Sequence, residues 1–258
     1  MASWSFESEE FAALWFGPAN DRMLYPLDYL SRFPHINERD EYWARVRHDW
    51  SERGRLSWDE ADLLTRAFTV LTTPEAWLEI HGFYDAVGPI RVAAARHARH
   101  AAFAAQFTVR PRIEVSIIPD DKLPAVLTRL LPKHPPGRGR PQRFDAVALR
   151  PENQPLGRRT GEPTPLQCYE RLVRRPSTGA GLITVFRGPR HNALAPARKV
   201  GTVRWYDLPD GRYLETGTRT LTVRPGDIPT LQTIISRLLD HAVTEYRDHI
   251  EDLGEFAR

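Results

Sequence analysis

The sequence has one cysteine, no long apolar run and no common catalytic motif. Cys168 cannot form an internal disulfide, which fits a reducing compartment. No apolar stretch reaches the roughly 18 residues that a membrane-spanning helix needs. The opening residues, MASWSFESEEF, are acidic where a signal peptide would be basic and then apolar. We therefore expect a cytoplasmic protein without a membrane segment.

The composition is that of a folded protein, and its positive charge is concentrated in one segment. Of the 258 residues, 41% are hydrophobic and 27% are charged. The net charge is +3, but residues 133–175 contain ten Lys or Arg and four Asp or Glu, so the remaining chain is net negative. The overall basic character therefore says little about the body of the fold.

The first half of the sequence reads as helices followed by strands. Trp4-Ser5-Phe6 alternates as a short strand does, and Phe11, Leu14 and Trp15 then form one helical stripe. A second predicted helix has Tyr42, Trp43, Val46 and Trp50 on one side and stops at Gly54. A third begins with a capping box formed by Ser57 and Glu60. Strands at 76–84, 90–97, 101–107 and 113–118 and a helix at 123–131 are predicted to follow.

The alanine-rich stretch 90–107 leaves two interpretations open. Alanine has the highest intrinsic helix propensity, so the local sequence favours a helix. Two strands joined by a turn fit the same residues equally well.

Prolines and arginines separate this half from a second one. Residues 132–165 contain eight of the 22 prolines, which predicts an exposed, partly disordered loop. A short helix at 166–173 follows, and then come strands at 181–188, 199–207, 211–217 and 220–225 and a long closing helix.

The two halves resemble each other, which predicts a duplicated fold. SIIPDDKLPAVLTRLL and TVRPGDIPTLQTIISRLL each read as strand, acidic turn, proline at a helix start and Arg-Leu-Leu. We expect an α+β protein with a central, mostly antiparallel sheet, quasi-twofold meander-plus-helix halves and flanking helical bundles. The strands would form one sheet with helices on one face. We therefore expect residues 1–258 to be a single domain with halves at 1–131 and 166–258. We expect the protein to be a monomer or a homodimer.

Asp207, Asp210 and Arg212 cluster in VGTVRWYDLPDGRYLETG and raise the question of an acidic active site. Alternation on both sides of Leu208-Pro209-Asp210-Gly211 is typical of a hairpin. No base, nucleophile or metal set accompanies the three residues. We therefore predict a structural role and no catalytic residues.

Other polar groups are equally poor candidates for chemistry. Two histidines, His97 and His100, do not make a metal site, and His241, Glu245 and His249 fit the solvated face of a helix. Cys168 has no activating partner, and Gly179-Ala180-Gly181 precedes a strand where a pyrophosphate site needs a helix. We expect no metal, no cofactor and no enzymatic activity.

A second function class rests on the basic loop. Arg138-Gly139-Arg140-Pro141 matches the core of minor-groove binders of the AT-hook type. Four residues are a weak match, because any arginine-rich loop contains similar runs. DNA binding therefore stays an alternative function, and nucleic acid is not the partner we expect.

Over most of its length the chain resembles the EspG family, cytoplasmic chaperones of ESX (type VII) secretion in actinobacteria. The resemblance is carried by WSFESEEFAALW, by AWLEIHGFYDAVGPIRVAAARHARHAAFAAQ, and by KVGTVRWYDLPDGRYL with TLTVRP and the closing helix. The family pattern of a Val-Gly strand, a terminal Asp and a following Gly-Arg strand is present as Val200-Gly201, Asp207 and Gly211-Arg212-Tyr213-Leu214. The resemblance also favours strands for residues 90–107.

The resemblance implies a partner and a contact loop. Members of the family bind PE–PPE heterodimers at the helical tip of the PPE protein, so we expect a PE–PPE pair or a related ESX substrate as partner. Family contacts come from the loop between the second and third strands, the sheet and the C-terminal helices. That loop corresponds here to Tyr84, Asp85, Ala86, Val87, Gly88 and Pro89.

Overall fold

The computed structural model describes residues 1–52, 56–107, 110–153, 163–190 and 197–256. The predicted helix stop at Gly54 lies outside these ranges. Within them the chain forms ten strands and six α-helices, which confirms the α+β class. In chain order these are β1 (Ala2–Glu7), α1 (Ser8–Trp15), α2 (Ile36–Glu52), α3 (Trp58–Thr72), β2 (Ala76–Tyr84), β3 (Gly88–His97), β4 (His100–Phe107), β5 (Arg110–Pro119), α4 (Leu123–Arg129), β6 (Gln142–Asp145), α5 (Pro165–Val173), β7 (Gly179–Arg187), β8 (Arg198–Leu208), β9 (Gly211–Thr216), β10 (Thr220–Pro225) and α6 (Ile228–Phe256).

All ten strands lie in one antiparallel sheet, in the order β1-β5-β4-β3-β2-β7-β8-β9-β10-β6. Strands β2 to β5 form one meander and β7 to β10 the other, and α4 or α6 follows the last strand of each. One further strand comes before each meander in the chain and lies at a sheet edge. Strand β1 pairs with β5, and β6 pairs with β10. Because the second half repeats the order of the first around the β2–β7 pair, the predicted quasi-twofold duplication is confirmed.

The helices cover both faces of the sheet, so the expectation of helices on one face was wrong. Successive side chains of a strand point to opposite faces. Leu78 shares a buried cluster with Leu127 of α4 and Ile235 of α6. Its neighbour Trp77 instead packs with the apolar side chains of α1 and α3. The repeated sequence motif from which we expected helices on one face contains only α4 and α6. The earlier helices have apolar stripes of their own, and these stripes pack against the opposite face of the sheet.

Capping chemistry fixes where two of the helices begin. Ser57 Oγ accepts a hydrogen bond from Glu60 N at 3.3 Å, and Ser57 N donates to Glu60 Oε2 at 2.9 Å. This confirms the capping box predicted for α3. Thr164 and Gln167 form the same arrangement at the start of α5. Among the described helices, none is both long and apolar enough to cross a membrane.

Part of the proline-rich segment 132–165 is a strand, so its prediction as a loop was wrong for those residues. Gln142–Asp145 is β6, which pairs with β10 at the sheet edge. Within it only Phe144 is buried, and its neighbours are exposed. A single apolar residue among polar ones gives no alternation that sequence reasoning would recognise as a strand. Residues 154–162 lie outside the described ranges.

Candidate partner-binding surface

The β2–β3 loop is a tight hairpin connection. Tyr84 pairs with Gly88, so only Asp85, Ala86 and Val87 lie between the two strands. Val87 N donates to Tyr84 O at 3.2 Å, and Gly88 has a φ of +71°, a conformation that glycine adopts without strain. Asp85 N donates to Thr178 O at 3.1 Å, just before β7. The loop therefore has a defined shape and a fixed attachment.

Tyr84 forms the base of this loop and is not an exposed contact. Its side chain is buried, its ring stacks on Trp205 with 6.4 Å between the ring centroids, and its hydroxyl accepts a bond from Arg212 Nη2 at 3.1 Å. Burial raises the pKa of the Tyr84 hydroxyl. Val87 packs partly against the same core. Asp85, Ala86 and the exposed part of Val87 are thus the groups that this loop presents to solvent.

Arg212 and Asp207 form a buried ion pair under the loop. Arg212 Nε and Nη2 donate to the two Asp207 carboxylate oxygens at 2.6 Å each, and Nη2 also donates to Pro132 O at 2.8 Å. Nη1 has no hydrogen-bond partner among the described residues. The pair ties the β8–β9 hairpin to Tyr84 and to the segment after α4. The pair therefore supports the fold, which agrees with the structural role predicted for these residues in the hairpin.

The carboxylate of Asp210 stabilises the turn between β8 and β9. Strand β8 ends at Leu208 and β9 begins at Gly211, so Pro209 and Asp210 form the turn. Asp210 accepts a hydrogen bond from the Tyr213 hydroxyl at 2.6 Å and pairs with Arg175. The bond from Tyr213 is the main cause that lowers the pKa of Asp210. Its carboxylate is therefore engaged in holding the turn.

An uncovered groove lies next to the loop, on the face that α1 and α3 cover further along the sheet. It has a volume of about 330 Å³. Phe83 stands beside it with 53% of its surface exposed, although large apolar side chains are usually buried. The groove is lined by His81, Gly82, Phe83, Pro89, Arg91, Ala180 and Gly181. An exposed aromatic side chain beside a groove in the sheet is a candidate contact for a partner protein.

The other polar candidates do not converge on a site. His97 and His100 face each other at the far end of β3, whereas Asp207 lies level with Gly179, Tyr84 and Gly88 at the near end. Nine residues of strand separate the two ends by about 30 Å. In the described part of the chain, no group of three His, Cys, Asp or Glu side chains is able to hold a metal ion.

The remaining candidates have structural surroundings. His241 Nε2 lies 3.5 Å from Glu245 Oε1 on the exposed side of α6, and His249 is one turn further on. Cys168 is half-buried on α5 against the cluster that includes Phe144. Gly179 and Gly181 belong to β7.

The chain's family follows from a comparison with known families. The profile of the EspG family matches residues 7–237, which is most of the sequence. The chain belongs to the EspG family. No curated protein sequence matches it.

The EspG fold is also found among solved structures. A structure described as the Mycobacterium tuberculosis type VII secretion system chaperone EspG5 in complex with the PE25–PPE41 dimer is similar, with a TM-score of 0.56. The similarity covers 93% of this chain and 96% of that chain, at 11% sequence identity. At this identity the comparison establishes a shared fold.

The residues predicted as the contact loop lie at the connection between β2 and β3, but the prediction missed their surroundings. It overlooked Phe83 and the groove, and it treated Tyr84 as available to a partner. The signal was present in β2, where Phe83 and Tyr84 are neighbours and must point to opposite faces. Of the two, only Tyr84 is buried at this uncovered end of β2, and Phe83 is exposed.

Proposed function

We propose that this EspG-family protein is a cytoplasmic, non-enzymatic chaperone of type VII secretion that binds the helical tip of a PE–PPE-type client. The family assignment supports the chaperone role, and the similar EspG5 structure contains a PE–PPE dimer. The observation that carries the proposal is the fixed β2–β3 loop with the exposed Phe83 and its groove beside it.

The surface suits a helical client because it exposes the apolar side chains of Phe83, Ala86 and Val87 and is preformed. Each CH₂ group that the client and the loop bury contributes about 0.8 kcal/mol. The backbone bond from Asp85 N to Thr178 O and the buried base at Tyr84 hold the loop before binding, so little ordering entropy is lost on association. Covering the apolar tip of the client in this way keeps it from self-association before export.

Co-expression with a PE–PPE pair from the same genome tests the proposal. We expect the pair to co-purify with the wild-type protein, and Val87→Asp or Phe83→Asp to weaken the complex about tenfold or more, because each buries a charge against an apolar client. Isothermal titration with purified proteins measures the change.

Trp58→Asp is the matched control, since Trp58 is 94% exposed at the start of α3 and belongs neither to the loop nor to the residues that line the groove. Phe83→Asp and Trp58→Asp, at exposed positions, should keep the melting temperature of the wild type, whereas Val87→Asp, which loses some packing against the core, should lower it slightly. Unchanged affinity for both Val87→Asp and Phe83→Asp would reject this surface as the client site.

A further inference from the structure

A run of positive side chains follows α4. Residues 123–144 contain four arginines and a lysine besides His134, and they contain no acidic residue. All five of these cations are exposed, and none forms an ion pair with any residue in the described ranges. They are Arg129, Lys133, Arg138, Arg140 and Arg143. A surface with this many unpaired cations attracts negatively charged partners.

A cavity opens within this run, between the end of α4 and the start of α6. Its volume is about 550 Å³, within the range of roughly 300–1,000 Å³ that is usual for binding pockets. Leu131, Ile228 and Pro229 give it apolar walls, and Arg129 and Lys133 stand among its lining residues. The cavity therefore combines an apolar interior with positive charge at its edge.

The only carboxylate among the described residues that line this cavity is already engaged. Asp227 Oδ1 accepts hydrogen bonds from Thr230 Oγ1 at 2.6 Å and from Thr230 N at 2.9 Å. These bonds lower the pKa of Asp227 and use its charge to cap α6. The charges of Arg129 and Lys133 are thus left for a ligand.

We propose that this cavity binds an acidic protein segment that carries an apolar side chain. The apolar side chain fills the space between Leu131, Ile228 and Pro229, and its flanking carboxylates pair with Arg129 and Lys133. The site is distinct from the proposed client loop and does not depend on it. The two surfaces are neighbours, because Arg212 Nη2 bonds both the Tyr84 hydroxyl and Pro132 O.

The surroundings favour a protein segment over DNA. A nucleic acid offers no aliphatic side chain for the apolar interior of the cavity. The Arg138-Gly139-Arg140-Pro141 run also lacks the freedom of a minor-groove arm, because Gly139 N donates to the Tyr213 hydroxyl at 2.8 Å and Gly137 N donates to Arg212 O at 2.8 Å. Its backbone is held against the β8–β9 hairpin.

Fluorescence anisotropy with the full chain and three labelled probes tests the proposal. The probes are the peptide EELLEE, the peptide EESSEE and an A/T-rich DNA duplex of 12 base pairs. We expect EELLEE to bind, and EESSEE to bind about tenfold more weakly because it has nothing to fill the cavity. Absence of EELLEE binding, equal binding of the two peptides, or tighter binding of the duplex would overturn the proposal.

Charge reversal locates the site. Arg129→Glu/Lys133→Glu should weaken EELLEE binding by about tenfold at physiological salt. Arg198→Glu/Lys199→Glu makes the same change in net charge at the exposed start of β8 and should leave binding unchanged. Equal weakening by both double variants would show general charge attraction and reject the cavity. Val87→Asp should leave EELLEE binding unchanged. A failure of the client proposal can therefore be distinguished from a failure of the cavity proposal.

Discussion

At the scale of single residues, Arg212 holds together the base of the β2–β3 loop. Its side chain is fully buried and connects Asp207, Tyr84 and Pro132 at the base of the β2–β3 loop. Arg212→Met should lower the free energy of unfolding by about 3–5 kcal/mol, because it leaves the Asp207 carboxylate buried without a counter-charge. Urea denaturation followed by circular dichroism measures the loss.

Arg219→Met is the control for that experiment. Arg219 is exposed in the β9–β10 connection, so the same loss of charge there should change stability by less than about 0.5 kcal/mol. If the two variants were equally stable, the Arg212–Asp207 pair would not be holding the loop base.

Glu79 on β2 makes stability depend on pH. Burial raises the pKa of its carboxyl from 4.5 to about 7, although the nearby charge of Arg190 lowers it. Between pH 4.5 and 7 the folded protein therefore keeps a proton that the unfolded chain has lost, so stability falls as pH rises through this window. Glu79→Gln removes the effect, and its stability advantage over the wild type should grow from about pH 5 to about pH 8.

Urea denaturation at four pH values across this range checks the expectation. Glu38→Gln, at an exposed position of α2, is the control for the loss of a carboxylate elsewhere in the chain. A constant difference between Glu79→Gln and the wild type across this range would contradict a raised pKa at Glu79.

At the scale of elements, those with a clean hydrophobic period were predictable from the sequence. The capping box of α3 and the β8–β9 hairpin follow from local chemistry, and the structure contains both. The alanine-rich strands do not follow from it. Ala93 faces the cluster with α1 and α3, whereas Ala94 faces the cluster with α4 and α6. With both faces buried no alternation is left, and distant packing overrides the local helix propensity of alanine.

The candidate surface was predictable only in part, for the same reason. Burial in β2 alternates only from Ile80 onwards, because the first residues of the strand are covered on both faces. The predicted strands and the family resemblance together located the loop, but they did not show which of Phe83 and Tyr84 points to solvent. The cavity between α4 and α6 also depends on contacts between distant parts of the chain, which no local pattern reveals.

At the scale of the whole molecule, the two halves share one sheet. Strands β2 and β7 pair along their full length, from Ala76 opposite Arg187 to Tyr84 opposite Gly179. Trp205 of the second half lies under both Gly82 and Gly181, where an added Cβ would come within 2.5 Å and 2.2 Å of its ring. We therefore propose that residues 1–258 are a single domain that unfolds as one unit.

Hydrogen exchange tests this cooperativity. Val203→Ala removes two methyl groups from a fully buried position of β8 and should cost about 2 kcal/mol. In a single domain, the slowest-exchanging amides of β3 and β4 in the other half should then exchange faster by the same factor as those of β8 and β9, because all of them exchange through global unfolding. Thr218→Ala, at an exposed turn position, should leave both sets unchanged. Acceleration confined to the second half would show two independently unfolding units, since a loss of stability in one would then leave β3 and β4 protected.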